Sequence, residues 1–437
     1  MAPNPSDSIV LAAGLRTPWA RAGAAFAKED AAHLGARVAR ELIARTGIDA
    51  SEFDEVIAGS VGPPHDQANV ARILALRAGV PWQVPARSVQ RNCASGLEAV
   101  TTAIGSIRAG EGDLYLCVGV EVMSAYPLIV GTRMTALFAR LAKAKSLGAR
   151  IAALSSFRPS FLSPRVAIVE GLTDPTTGLM MGRTAELLAR DFGLTRRELD
   201  AFACESHRRA AAARASGRFA REILPHLPLG AREGSAALDA DDSIRDDQSV
   251  EKLGKLRPYF EKPDGVVTVG NSCGVTDGAC ALIISTEERA RALGLTPLAR
   301  IRGHAFAGLD PARMGLGPVH ATAKVLAKTG CALSDFGAVE LNEAFAAQVL
   351  ACQKAFASDR FARETLGVAK ALGTLDDARL NPNGGAIALG HPIGATGARL
   401  LLTAAHELAA KDHELTLATL CIGGGQGAAV VLQRCAA

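Results

Sequence analysis

Aromatic side chains are scarce: two tryptophans, three tyrosines and 14 phenylalanines among 437 residues. A core of this size must then close around Ala, Val, Leu and Ile, with 44 glycines permitting tight turns and close contacts. Charge of one sign is scarce as well. A net charge of +4 over this length is too small for a general nucleic-acid binder. No apolar run is long enough to span a bilayer. Paired cysteine spacing is missing too. The nine cysteines are scattered and odd in number, with no C-x-x-C, so zinc and thioredoxin-like readings fail and no metal site is expected. A reduced, cytoplasmic protein is the expectation. The start runs from Asp7 into apolar residues 9–13 without a leader pattern, and the end, Arg434-Cys435-Ala436-Ala437, matches no peroxisomal or prenylation signal.

What is present alternates strand and helix. Helix is expected over residues 31–46, strand over 55–58, and a small-residue helix over 96–108. Residues 114–120 form a short continuous apolar run, which suits a strand buried on both faces. This alternation points to a layered α/β fold. Residues 125–179 read as helical with little strand signal. Residues 239–248 are acidic and loop-like. Strand signals return within 266–284, and a second α/β unit runs from about Pro297. A weak internal repeat aligns Ser95-Gly96 with Thr396-Gly397 and places 114–118 opposite 415–419 without a gap. Duplicated halves would bring active-site turns from both to one cleft.

Three glycine-rich turns carry the reactive side chains. Cys93, in Asn92-Cys93-Ala94-Ser95-Gly96, opens a helix, whose N-terminus is expected to lower its thiol pKa. A buried, inert cysteine is the plainer reading of such a residue. His391 is wedged between Gly390 and Pro392, in a run with five glycines from Gly384 to Gly397, and imidazole suits proton transfer near neutral pH. Cys421 precedes Ile422-Gly423-Gly424-Gly425-Gln426-Gly427. Those glycines either make a tight turn or aim N–H groups at a ligand oxygen. No Lys-Ser or Lys-Thr follows, so the run is not a phosphate loop. Asn342, in Glu340-Leu341-Asn342-Glu343-Ala344-Phe345, reads equally as a helix N-cap or as a holder of water or a carbonyl.

With these residues in place, the whole chain resembles the thiolases. The motifs are Asn92-Cys93-Ala94-Ser95-Gly96, Gly119-Val-Glu121-Val-Met123-Ser124, Met181-Gly182-Arg-Thr184-Ala185-Glu186, Asn342-Glu343-Ala344-Phe345, Gly390-His391-Pro392 and Cys421-Ile-Gly423-Gly424-Gly425-Gln426-Gly427. The resemblance implies a duplicated five-layer α-β-α-β-α core with an inserted helical loop domain. Its halves would be 1–124 with 252–292, and 293–437, with the insertion at 125–251. It implies that Cys93 carries an acyl-thioester, that His391 activates it, and that Cys421 exchanges the proton of the second substrate. Asn342, through a water, and His391 would line one oxyanion hole, and the backbone N–H groups of Cys93 and Gly423 the other. Met181, Cys273 and Phe345 match positions near the pantetheine. Coenzyme A and acyl-CoA are implied as substrates, with no tightly bound cofactor. The reaction would be thiolytic cleavage of 3-ketoacyl-CoA or its reverse, as in fatty-acid β-oxidation. A biosynthetic enzyme joining two acetyl-CoA molecules is the rival, and a non-catalytic lipid binder of the same fold is the reading from another class. Ketoacyl synthases share the architecture but generally lack the second cysteine, Cys421.

The chain also departs from the family pattern. Ser272-Cys273-Gly274 stands where many thiolases have Ala-Ser-Gly, and Met180 where acetoacetyl-specific members often have His. Residues 133–165 resemble the helical insertion in the thiolase subunit of the trifunctional fatty-acid-oxidising complex, yet that subgroup usually has His where Asn342 stands. Between Ala125 and Glu170 there are seven Lys/Arg and one acidic residue. Met134, Leu137, Phe138, Leu141, Leu147, Ile151 and Leu154 approximate an apolar stripe. A solvated helix over the active site, a membrane-surface helix and a docking face for a hydratase/dehydrogenase subunit all fit. A homodimer is the expected assembly, ahead of a tetramer.

Overall fold

A computed structural model describes residues 8–435. Asp7 and the terminal Ala436 and Ala437, read above for targeting signals, lie outside the described residues. The main strands are β1 (Ile9–Arg16), β2 (Glu55–Gly59), β3 (Ala86–Val89), β4 (Leu114–Val122), β5 (Thr276–Thr286), β6 (Ala299–Gly308), β7 (Ala338–Leu341), β8 (Leu415–Ile422) and β9 (Gln426–Gln433). The helices used below are α1 (Ala31–Thr46), α2 (Ser95–Ala109), α3 (Thr132–Lys143), α4 (Leu147–Ser155), α5 (Met181–Asp191), α6 (Arg196–Ala215), α7 (Gly317–Thr329), α8 (Ala346–Phe356) and α9 (Ile393–Ala410).

Local chemistry sets these elements. Asp30 caps α1 by accepting from His33 N, and Gly47, at φ 68°, ends it in the left-handed conformation. All nine residues of β4 are buried, because helices cover both faces of the sheet there. The strand after residue 266 starts only at Thr276. Val266 and Val267 direct their N–H groups to Glu186, and Thr268 directs its own to Asn271, so this stretch is held as a loop.

The strands run β7-β8-β9-β6-β1-β5-β4-β2-β3 in one ten-stranded sheet, the tenth being Ala20–Arg21 against β5. The order is duplicated. β2 pairs parallel with β4, β4 antiparallel with β5 and β5 antiparallel with β1. In the second half β7, β8, β9 and β6 repeat those relations, and β1 meets β6 at the centre. Helices α2 and α9 pack against each other between the two halves, with α1 outside the first half and α7 outside the second. The result is the five-layer α-β-α-β-α arrangement.

Between β4 and β5 the chain leaves the core. Helices α3 and α4 pack chiefly on each other, around Met134, Leu137 and Ala153. The expected apolar stripe therefore splits. Phe138, Leu147, Ile151 and Leu154 remain exposed. Among the described residues no helix is long and apolar enough to cross a membrane.

Candidate active site

Cys93 lies just ahead of α2. Asn92 takes φ 43°, a left-handed conformation that Asn tolerates better than most residues. Ser95 Oγ donates to Asn92 O (2.7 Å) and accepts from Arg91 N (3.0 Å), which closes the turn. Asn92 Nδ2 donates to Gly423 O at 2.9 Å and ties this turn to the one after Cys421.

The histidine turn arrives by backbone contact. A Cβ on Gly96 would stand 2.7 Å from Gly394 O, and one on Gly119 2.8 Å from the same oxygen. Gly96 and Gly394 lie three residues beyond Cys93 and His391, so their contact brings both turns to one corner. Gly274 O accepts from His391 N (3.2 Å), while the neighbouring Cys273 N donates to Ala344 O (3.0 Å). That segment joins the histidine turn to the Asn342 turn. A thiolate on Cys93 would raise the pKa of both Cys273 and Cys421. The turns of Cys93, His391, Cys421 and Asn342 are therefore tied to one another.

His391 is buried, and its Nδ1 lies 2.7 Å from Thr396 Oγ1. The Thr396 hydroxyl also lies 3.1 Å from Pro392 O, and when it donates there it accepts from Nδ1–H. In that tautomer Nε2 is the basic nitrogen. Burial, aided by the Arg399 charge, pushes the imidazole pKa down to about 3. His391 is neutral at pH 7 and able to take a proton.

Cys93 differs from the expectation. Its thiol pKa is raised, because burial outweighs the N–H groups of Gly423 and of Cys93 itself, both directed at the sulfur. Cys93 rests as a thiol, rather than as a thiolate preformed by the helix. Cys421 is raised well above its ordinary value, by burial and then by the neighbouring thiols. It is a proton-bearing group. Burial also pushes Cys273 up to about 12.

Asn342 is not an N-cap. Helix α8 begins at Ala346, with Phe345 in the cap position. Asn342 is fully buried, its N–H donates to Thr419 O (3.0 Å), and neither Nδ2 nor Oδ1 has a protein partner. A buried amide with donor and acceptor both free suits a water or a carbonyl oxygen. Met181 Sδ comes within 3.4 Å of the space a Cβ on Gly423 would fill. Phe345 stands edge-on to Phe260, with centroids 6.0 Å apart. Beside them lies a cavity of about 440 Å³, lined among others by Met180, Arg183, Tyr259, Phe260 and Lys262.

Sequence reading placed Glu121 and Glu343 within motifs but gave neither a role in holding these turns. Glu121, inside the buried strand β4, accepts from Val61 N (2.8 Å), Gly62 N (3.1 Å), Gly394 N (3.1 Å) and Tyr126 Oη (3.1 Å). Burial lifts its pKa to about 7. Glu343 accepts from Ser206 Oγ (2.6 Å), Asn381 Nδ2 (2.8 Å) and Ile387 N (3.2 Å), binding the Asn342 turn to the loop ahead of His391. A carboxylate next to an apolar strand run, inside a matching motif, was the signal for Glu121.

Two family models match the chain: "Thiolase, N-terminal domain" over residues 9–288 and "Thiolase, C-terminal domain" over residues 295–434. The chain belongs to the thiolase family. This thiolase is 40% identical over 429 residues to the 3-ketoacyl-CoA thiolase of Pectobacterium atrosepticum, covering 98% of this chain and 97% of that one. It is 42% identical over 429 residues to the acetyl-CoA acetyltransferase of Pseudomonas aeruginosa, covering 98% and 100%. The human mitochondrial 3-ketoacyl-CoA thiolase in complex with CoA superposes with a TM-score of 0.83 at 34% identity, covering 99% of each chain. The thiolase described here is an acyltransferase acting on CoA thioesters. Its relatives divide between the two activities.

Proposed function

We propose that this thiolase cleaves 3-ketoacyl-CoA with CoA, and runs the reverse condensation, through an acyl-enzyme on Cys93 in cytoplasmic fatty-acid β-oxidation. The observation that supports the reading is the contact of the Cys93 and His391 turns at Gly96 and Gly394, with the buried His391 held at Nδ1 by Thr396. His391 takes the thiol proton as sulfur attacks the 3-keto carbon. The bond between C2 and C3 then breaks, leaving an acyl-thioester on Cys93 and the enolate of acetyl-CoA. Cys421 protonates that enolate at carbon and afterwards takes the proton of the incoming CoA thiol, which carries the acyl group away.

Developing charge needs donors already in place. The N–H groups of Cys93 and Gly423 converge on the sulfur, so they suit the oxygen of the acyl group. Asn342, through a water, and His391 suit the enolate oxygen. Met181, Cys273 and Phe345 are proposed to flank the pantetheine, with Arg183 and Lys262 at the cavity mouth toward the phosphates. Residues 125–251 are proposed as the inserted domain that carries this arm.

A second reading, condensation of two acetyl-CoA molecules, draws on the 42% identity to an acetyl-CoA acetyltransferase. Thiolysis rates across 3-ketoacyl-CoA substrates of increasing chain length separate them. Turnover that persists or rises beyond acetoacetyl-CoA is expected. Activity confined to acetoacetyl-CoA would select the second reading.

A further inference from the structure

Three glycines in a row, Gly423-Gly424-Gly425, join β8 to β9. Glycine leaves the backbone free to take many conformations, so an N–H inside such a turn is aimed only where the turn is held from outside. The far end is held by backbone. Leu309 N donates to Gly425 O (2.8 Å), and a Cβ on Gly425 would stand 2.3 Å from Leu309 O. The near end, next to Cys421, has room around it. A Cβ on Gly423 would come no closer than 3.4 Å to Met181 Sδ, and one on Gly424 no closer than 3.9 Å to Asn92 Nδ2. Here the hold comes from Asn92, whose Nδ2 donates to Gly423 O at 2.9 Å, 331 residues away in sequence. Asn92 stands directly before Cys93 in the left-handed region, at φ 43°. A residue other than glycine in that region is uncommon and directs attention to what its side chain does. The conformation is closed locally, since Asn92 O accepts from Ser95 N (2.9 Å) and Ser95 Oγ (2.7 Å). A second clasp between the same two turns runs from Arg91 Nη1 to Gln426 Oε1 (3.1 Å), with Arg91 itself paired to Glu98.

We infer that Asn92 is a positioning residue: through Gly423 O it holds the near end of the glycine turn against the Cys93 turn, so that the Gly423 N–H is aimed at the oxygen of an acyl group on Cys93. The inference rests on the proposed acyl-enzyme and on Gly423 as one of its donors. In acylation the Cys93 sulfur adds to the carbonyl carbon of acetyl-CoA, and the oxygen takes up negative charge. The bond to the CoA sulfur then breaks, and the proton removed from Cys93 passes to that sulfur. A donor fixed in advance lowers the barrier to this step. Alkylation by iodoacetamide is different. The same sulfur displaces iodide from a CH2 group, no oxyanion forms, and a fixed donor gives no advantage. The Asn92–Gly423 bond is exposed, where water competes for both partners, so it adds little to folding stability.

The test compares the two reactions of Cys93 in Asn92→Gly and Asn92→Ala. Both variants lose the amide. Glycine relaxes the left-handed backbone and alanine opposes it, so an effect common to both belongs to the amide. Either variant serves alone if the other fails to fold. Acetylation by acetyl-CoA, read by rapid quenching and peptide mass spectrometry, should slow by at least about tenfold, short of the roughly 10²–10³-fold that loss of an oxyanion donor costs. Alkylation of Cys93 by iodoacetamide should keep the parental rate. Acetylation at the parental rate in either folded variant would overturn the inference. Equal slowing of both reactions would overturn it as well, since that marks a general distortion of the turn. Failure of the unaltered enzyme to acetylate Cys93 would instead overturn the functional reading beneath it.

Discussion

Thr396 is the side chain that holds Nδ1 of His391. Its hydroxyl reaches both Pro392 O and Nδ1, and donation to Pro392 makes it the acceptor of Nδ1–H. Thr396→Val keeps the shape and removes that acceptor. The expected result is a fall in kcat/KM of at least about tenfold, bounded by the roughly 10²–10⁴-fold that a general base contributes. Steady-state thiolysis checks this, and an unchanged kcat/KM would remove the tautomer role. His391 and the two cysteines were legible because glycines and proline frame them in sequence. Thr396 was not, because its role appears only when a helical turn brings it back onto the ring five residues upstream. The state of Cys93 was misread for a related reason. A helix start is visible in sequence, but the burial that overrides it is not.

At the scale of elements, the site depends on how closely α2 and α9 approach. A methyl group on Gly96 would sit 2.7 Å from Gly394 O and 3.1 Å from Ala398 N, both backbone atoms. Gly96→Ala should force the helices apart and cost about 1–3 kcal/mol of stability, as overpacking does. Calorimetry should show a lower Tm, and acylation of Cys93 should slow because the cysteine and histidine turns separate. A stability equal to that of the parent would show the crossing to be looser than this geometry. Helix α1 was readable to its ends because Asp30 and Gly47 stop it chemically. Strand was expected within 266–284, and where it starts was not legible because the loop ahead of β5 is held by Glu186 and Asn271, partners that no local pattern discloses.

The whole molecule is two copies of one strand order joined at β1 and β6, and each copy delivers one reactive turn from the start of its central helix. The repeat aligning Ser95 with Thr396 was faint in sequence because the halves share small-residue spacing more than identity. In space it is plain, since α2 and α9 lie against each other between the half-sheets. Residues 125–179 were legible as helical. Which of their apolar residues face inward was not, because α3 and α4 bury one side only against each other. Convergence of turns from both copies on one sulfur is the claim on which the mechanism stands. Incubation with acetyl-CoA followed by peptide mass spectrometry tests it directly. One acetyl group should appear on the Cys93 peptide, and it should still appear in Cys421→Ala, a variant expected to acylate without turning over. An acetyl group found only on a peptide without Cys93 would contradict the account.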